Sequence, residues 1–417
     1  MNIHIHTFGC RLNQYESEKI KYELKNMGVN ITDINDADAV AINTCTVTND
    51  SDKKLISYLD KIKYLPQKKI FLIGCYVSKK DKSKSIMKDN ITIIPNNKKE
   101  EASEIIFNKM HNNKNNKLKN PIFFPQEQSR SYLKIQDGCE VFCTYCIVSR
   151  VRGNHNSVEP SKIYEAIEIA NDYNYKEIVL TGLNLGSYNY NNEIKFTQII
   201  QNILERSAKF GIRIRLSSVE PIYFDDELIN LFKNDNVLCP HAHIPLQSAS
   251  DKILKLMNRR YTKKNYITII EKLYKKNSNM SISSDIMVGF PNEDNNDFNE
   301  TYNVCEELKF IKMHIFRYSN RENTPSQNMD NQVGYRTKLK RAKILNNLND
   351  KLKNSYYKNA IGRDLKIIIE KTLGNNYYIG TSAEYLKCKL HSKTSINKKE
   401  LVSAKALKYE DGIMICE

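Results

Sequence analysis

The 417-residue chain has no apolar run approaching the roughly 20 residues needed to cross a bilayer. Its first residues, Met1-Asn2-Ile3-His4-Ile5-His6, lack the basic stretch and apolar core of an export signal. Acidic residues are in deficit, with 48 Asp plus Glu against 64 Lys plus Arg, a surplus of +16. A surplus of that sign suits a polyanionic partner, nucleic acid first, although coding bias in a chain crowded with Asn, Lys, Ile and Tyr also yields lysines. Ten cysteines without an export signal favour metal or redox chemistry over disulfides, so the expected compartment is the cytoplasm and no membrane partner is expected.

A second cysteine pair is also missing where a zinc site would need one. Cys139, Cys143 and Cys146 fall within the run Gln136–Cys146, three residues between the first two and two between the last. Structural zinc closes at four ligands, commonly from two pairs, yet His155 is the only imidazole nearby. Iron–sulfur clusters are held by thiolates, usually four. Three thiolates leave one iron of a cubane open to a small molecule. The cluster reading therefore outweighs zinc or a chance grouping.

Along the chain, short apolar strands alternate with amphipathic helical stretches, the mark of a parallel α/β sheet. Strands are expected at Ile3–Phe8, Ala39–Asn43, Ile70–Ile73 and Ile91–Ile94, with helices at Glu16–Met27, Lys53–Lys63 and Glu100–Met110. Cys10, Cys45 and Cys75 each sit at or just past the C-terminal end of a strand. Ligands bind at that edge of open α/β sheets, so the three thiols read as ligands of a second cluster rather than as unrelated small apolar residues. Asn112–Asn120 is almost devoid of apolar side chains and reads as a linker.

From about Tyr132 the alternation resumes. Strands are expected at Leu133–Gln136, Ile178–Leu180, Ile212–Leu216, His243–Leu246, Ser283–Val288 and His314–Arg317, with helices between them. Six βα units imply a partial (β/α)6 barrel, whose active site belongs at the C-terminal strand ends. The triple-cysteine run follows the first of these strands. A basic helical segment, Lys338–Asn359, leads to short strands at Leu365–Glu370, Tyr377–Gly380, Leu386–Leu390 and Val402–Leu407, a small β-barrel of the kind that binds nucleic acid. The expected domains are therefore 1–111, a linker 112–130, a core 131–357 and a β-barrel 358–417. Cys239, Cys305, Cys388 and Cys416 read as buried apolar residues. Alternation on a strand explains Cys239, His241 and His243 better than a metal does.

The spacing of Cys139, Cys143 and Cys146, with Tyr145 before the third thiol, resembles the signature of the radical S-adenosylmethionine (SAM) enzymes. With the three dispersed cysteines and the terminal β-barrel, similar to a TRAM domain, the whole chain resembles a methylthiotransferase of that superfamily. The resemblance implies an auxiliary [4Fe–4S] cluster on Cys10, Cys45 and Cys75, and a SAM-cleaving [4Fe–4S] cluster on Cys139, Cys143 and Cys146. It further implies Tyr145, Gly182 and Glu220 beside SAM, an RNA-gripping terminal module, and an electron donor such as flavodoxin or ferredoxin. Gly9-Cys10-Arg11-Leu12-Asn13-Gln14-Tyr15-Glu16-Ser17 is most similar to the branch that methylthiolates N6-threonylcarbamoyladenosine beside the anticodon of tRNA. The alternatives are the isopentenyladenosine branch, a sister branch acting on a ribosomal-protein aspartate, and an RNA-binding protein with merely structural clusters. The chain departs from the family pattern at Glu140, Val141, Ala249 and Asn292, and after Gly153, where Asn154–Val158 lacks arginine.

Overall fold

Runs without a polar face, such as Ala39–Thr44, are stable as strands only where both faces of a sheet are covered. The computed structural model, which describes residues 1–46, 49–62, 68–78, 89–111, 121–233 and 237–417, meets that demand. Its packing divides into two units. The first comprises Met1–Glu127, Asp137–His155 and Ser319–Thr324; the second comprises Gln128–Gln136, Asn156–Tyr318 and Pro325–Glu417.

In the first unit five strands form an all-parallel sheet, in the spatial order Asn30–Ile31, Asn2–Thr7, Ala39–Thr44, Lys69–Gly74, Ile91–Pro95. Side chains alternate between its faces with the period of two that strands impose. Ala39, Ala41, Phe71 and Ile73 pack against Ile20 and Leu24 of helix Arg11–Asn26 and Ile106 of helix Ala102–His111. Val40, Ile42, Ile70 and Leu72 pack against Leu55 and Ile62 of helix Asn49–Ile62 on the other face. Every residue of the central strand is buried. Two helices begin earlier than their apolar spacing suggests, at Arg11 and Asn49: the first turn of one offers Leu12 as its single apolar residue, and that of the other, Asn49–Asp52, offers none. The expected linker Asn112–Asn120 lies outside the described residues, as does Lys63 at the end of one expected helix.

In the second unit two three-stranded parallel sheets follow chain order. One holds Ser131–Lys134, Glu177–Thr181 and Arg213–Leu216; the other holds His241–His243, Ser281–Val288 and Lys312–Arg317. Parallel bridges Ile214 to Leu238 and Ser218 to His243 join them into the partial six-stranded barrel expected from the sequence. The strand expected at His243–Leu246 is instead His241–His243. Pro245 has no N–H to give a ladder, and Gln247 turns the chain with φ +61°. The terminal β-barrel is closed, in the order Asp364–Gly374, Tyr377–Ser382, Lys387–His391, Ile413–Cys416, Leu401–Glu410. Its fifth strand, Ile413–Cys416, escaped sequence reading because four residues show too little alternation. Among the described residues no helix is long and apolar enough to cross a membrane.

Within the second unit, the terminal barrel is tied to the strands Glu177–Thr181 and Arg213–Leu216 by buried charge. Alternation along Arg213-Ile214-Arg215-Leu216 sends both guanidiniums to one side, where their Nε atoms donate to the Glu177 carboxylate at 2.7 Å each. Their remaining donors reach main-chain carbonyls of the barrel. Arg213 donates to Lys366 (2.7 Å) and Thr381 (3.1 Å), and Arg215 to Ala383 (2.9 Å) and Ser382 (3.0 Å). Burial alone would raise the Glu177 pKa, but Arg215, Arg213 and Arg130 together hold it far below the ordinary carboxylate range.

Removing one partner from such a group strands the others without compensation, at a cost of about 3–5 kcal/mol. Glu177→Ala is therefore expected to lower unfolding stability by that amount in urea titrations at pH 7. A depressed folded pKa stabilises above the unfolded value and is lost as pH falls. The parent's advantage over the variant should accordingly shrink below its ordinary value of 4.5. Equal midpoints at neutral pH would exclude a stabilising role for the triad.

Candidate iron–sulfur site

All six cysteines singled out by spacing belong to the first unit. Cys45 and Cys75 directly follow the strands Ala39–Thr44 and Lys69–Gly74, and Cys10 is the N-cap of helix Arg11–Asn26 after Asn2–Thr7. These three strands are neighbours in the sheet and run parallel, so their C-terminal ends lie on one edge. Cys10 is exposed, while Cys45 and Cys75 are buried. The turn before Cys10 requires glycine: Gly9 has φ +107°, and a Cβ there would lie 2.7 Å from the Cys45 Cβ.

Polar side chains frame this edge. Asn13 Nδ2 donates to the carbonyls of Phe8 (2.8 Å) and Thr44 (3.1 Å), joining the loops that carry Cys10 and Cys45. Asn96 Nδ2 lies 3.5 Å from the Cys75 Sγ, and Arg152 Nε donates to that sulfur at 3.2 Å. The other Arg152 donors meet Glu16 and Asn13 Oδ1, the latter at 2.8 Å. Glu16 also pairs with Lys99. Burial alone would lower the Arg152 pKa, but Glu16 first, then Cys75 and Asp137, raise it well above its ordinary value. Burial pushes the Lys99 ammonium down. Neutral thiols do not call for cations around them; thiolates of a cluster do, so the donor set fits an iron–sulfur group.

Cys139, Cys143 and Cys146 are half-buried. A turn closes the run, with Cys146 N–H donating to the Cys143 carbonyl at 3.0 Å, and Val148 N–H donates to the Cys146 Sγ at 3.4 Å. Amide donors of this kind stabilise ligating thiolates. Helix Val148–Arg152 follows at once, and Ile147 and Val151 pack on Cys75. The two thiol sets thus meet through this helix. Gly138, before the run, has φ +73°, and an added Cβ would lie 1.8 Å from the Asn154 carbonyl oxygen.

The second unit carries a polar cluster at its own strand ends. Gly182 follows strand Glu177–Thr181, where a Cβ would lie 2.8 Å from the Gln136 Oε1. That oxygen in turn accepts the Asn184 N–H at 2.9 Å. Glu220 pairs with Arg259, yet burial still raises its pKa. His243 Nε2 lies 3.2 Å from the Asp285 Oδ1, and its Nδ1 lies 2.9 Å from the Ser283 Oγ. Burial would raise the Asp285 pKa, but His243 overcomes it and the net direction is down. His314 completes a trio with these two, all ligand atoms lying within 4.8 Å of one another. Sequence reasoning missed Asp285, His314, Arg152 and Lys99 as site residues. His314 and Asp285 become neighbours only by cross-strand register. Cys239 and His241 take no part in this trio: burial pushes the Cys239 thiol up to about 11, and His241 stacks on Tyr385.

The model of the radical SAM superfamily matches residues 133–305, and that of "Uncharacterized protein family UPF0004" matches residues 2–94. A Thermotoga maritima relative named threonylcarbamoyladenosine tRNA methylthiotransferase MtaB is 31% identical, over 99% of this chain and 96% of its own. The chain belongs to the radical-SAM methylthiotransferases. A Bacillus subtilis relative of the same name is 34% identical, over 92% of this chain and 88% of its own. A Fervidobacterium nodosum relative named tRNA-2-methylthio-N(6)-dimethylallyladenosine synthase is 31% identical, over 91% and 90%. Among solved structures, the radical SAM methyltransferase TsrM from Kitasatospora setae superposes with a TM-score of 0.55 at 11% identity, covering 78% of this chain and 77% of that one. That likeness concerns the fold. Membership in the methylthiotransferases brings their cofactors, SAM and two [4Fe–4S] clusters.

The contact at Gly138 yields a test. Gly138→Ala cannot be accommodated without displacing the Asp137–His155 segment, so the variant should retain only about half of the parent's iron after anaerobic reconstitution. Full iron content together with an unchanged melting temperature would refute this reading of the turn.

Proposed function

We propose that this methylthiotransferase acts on C2 of N6-threonylcarbamoyladenosine beside the anticodon of tRNA. The observation that carries the reading is kinship along 99% of the chain with a relative named for that nucleoside, to which the Gly9–Ser17 stretch adds support. In this assignment Cys139, Cys143 and Cys146 hold the SAM-cleaving cluster, and Cys10, Cys45 and Cys75 hold the auxiliary one. Tyr145, Gly182 and Glu220 neighbour SAM. When bound, the clusters and SAM supply a radical and a methylated sulfur, which an unactivated aromatic C–H bond requires.

The chain's own residues position and shield this chemistry. The Val148 amide orients the Cys146 thiolate. Cys10, at the N-terminal end of its helix, gains from the partial positive charge there. Arg259 holds the Glu220 carboxylate in place. On the terminal barrel, exposed Tyr377 packs against His391, with ring centroids 4.8 Å apart, and the Lys389 ammonium sits 4.9 Å from its ring centre. A flat aromatic beside a cation suits an RNA strand. The reductant is a small electron carrier of the flavodoxin or ferredoxin class, and the compartment is the cytoplasm.

The dimethylallyladenosine substrate is the second reading, favoured by relatives of that name at similar identity. Mass spectrometry of tRNA nucleosides from a deletion strain separates the two. The methylthio form of threonylcarbamoyladenosine should vanish while that of the dimethylallyl nucleoside persists; the opposite pattern transfers the assignment. The thiol sets are separable too. Parent protein should hold about eight irons, four for each cubane. Cys45→Ala should still cleave SAM reductively but form no methylthio nucleoside, whereas Cys143→Ala should do neither. Normal product formation by Cys45→Ala would sink the assignment. At the barrel, Lys389→Glu should weaken tRNA binding and reduce the slope of log affinity against log salt by about one, with SAM cleavage unaltered. An unchanged slope would remove Lys389 from the RNA-contacting face.

A further inference from the structure

The Arg152 side chain is 4% exposed and its donors are divided between two kinds of partner. Glu16 and Asn13, three residues apart on helix Arg11–Asn26 and therefore on one face of it, take the terminal nitrogens. Nε is left to point at the Cys75 Sγ, 3.2 Å away. A guanidinium–carboxylate pair needs only two of the five donors, so the contact with sulfur is not a by-product of the ion pair. The helix that carries Arg152 is held in register from the same side. Asn96 Nδ2 donates to the Val151 carbonyl at 2.6 Å while lying 3.5 Å from the Cys75 Sγ. Charges facing the guanidinium are Glu16 and Asp137 (3.6 Å), and the Lys99 ammonium, which pairs with Glu16, also interacts with Arg152 and with Cys75.

We propose that Arg152 is a positioning residue for the auxiliary cluster, orienting the Cys75 thiolate and making the cluster held there easier to reduce. The proposal rests on the assignment of Cys75 as a ligand. Hydrogen bonds and positive charge at a ligating sulfur withdraw electron density and stabilise the reduced cluster, which raises its potential. Arg152 lies six residues beyond Cys146 in the chain. The segment that holds the SAM-cleaving cluster therefore also sets the electronics of the other, and any displacement of the triple-cysteine loop is felt at Cys75.

The test is a potentiometric titration of the full-length, anaerobically reconstituted enzyme, followed by electron paramagnetic resonance. Matched Cys143→Ala and Cys45→Ala samples, each loaded with a single cluster, assign the two signals, the one that survives in Cys143→Ala being the auxiliary cluster's. Arg152→Gln should make the auxiliary cluster about tenfold harder to reduce, about 59 mV for one electron, and leave the other midpoint in place. Arg152→Lys, which keeps the charge but loses the fork, should shift the same midpoint by less and serves if the Gln variant does not fold. An auxiliary midpoint equal to the parent's in a variant with full iron content overturns the proposal. A parent protein with only about four irons refutes the ligand assignment itself, and the proposal with it.

Discussion

The constraint on which the first unit depends is that a parallel sheet covered on both faces has no room for chemistry except at its ends. Ala39–Thr44 is buried along its whole length, so a side chain can meet a ligand only once the chain leaves the ladder. Cys45 and Cys75 stand at that point, one residue beyond the last paired position. The strands that precede them are neighbours, which makes the edge a single place rather than three. Gly9 and Asn13 then draw the loops together, one by having no Cβ and the other by bonding to both.

Buried charge does two different jobs in this protein. In the second unit Glu177, Arg213 and Arg215 satisfy one another and the carbonyls of the terminal barrel. Around Cys75 the accounting differs, because Arg152 spends one donor on a sulfur. A carboxylate recipient makes a strut. In the proposed assignment, where Cys75 ligates iron, that contact makes the arginine part of the cofactor's environment. The two arginine clusters look alike in composition and differ only in what the last N–H meets.

Much of the fold could be read from the chain. Alternating apolar runs and helical spacing located the parallel strands of both units within a residue or two, since continuous apolar stretches leave little choice of register. The exceptions have local causes: Pro245 and Gln247 cut one strand short, and Asn30–Ile31 and Ile413–Cys416 are too brief to show a period. Helix starts at Arg11 and Asn49 were hard to see because at most one apolar residue falls in each first turn, too few to show a period.

The cysteine spacings by themselves determined the chemical class, since three thiols in eight residues with no fourth partner suit an iron–sulfur cluster and little else. Strand-end placement of Cys10, Cys45 and Cys75 was equally legible, because it follows from local periodicity. Tertiary structure alone decided what surrounds those sulfurs. Arg152 and Cys75 are 77 residues apart, and Asp285 meets His314 through register between two strands. No periodicity encodes such pairs. They arise when packing of apolar faces fixes the helices and strands, and the polar side chains then take the partners that burial leaves within reach.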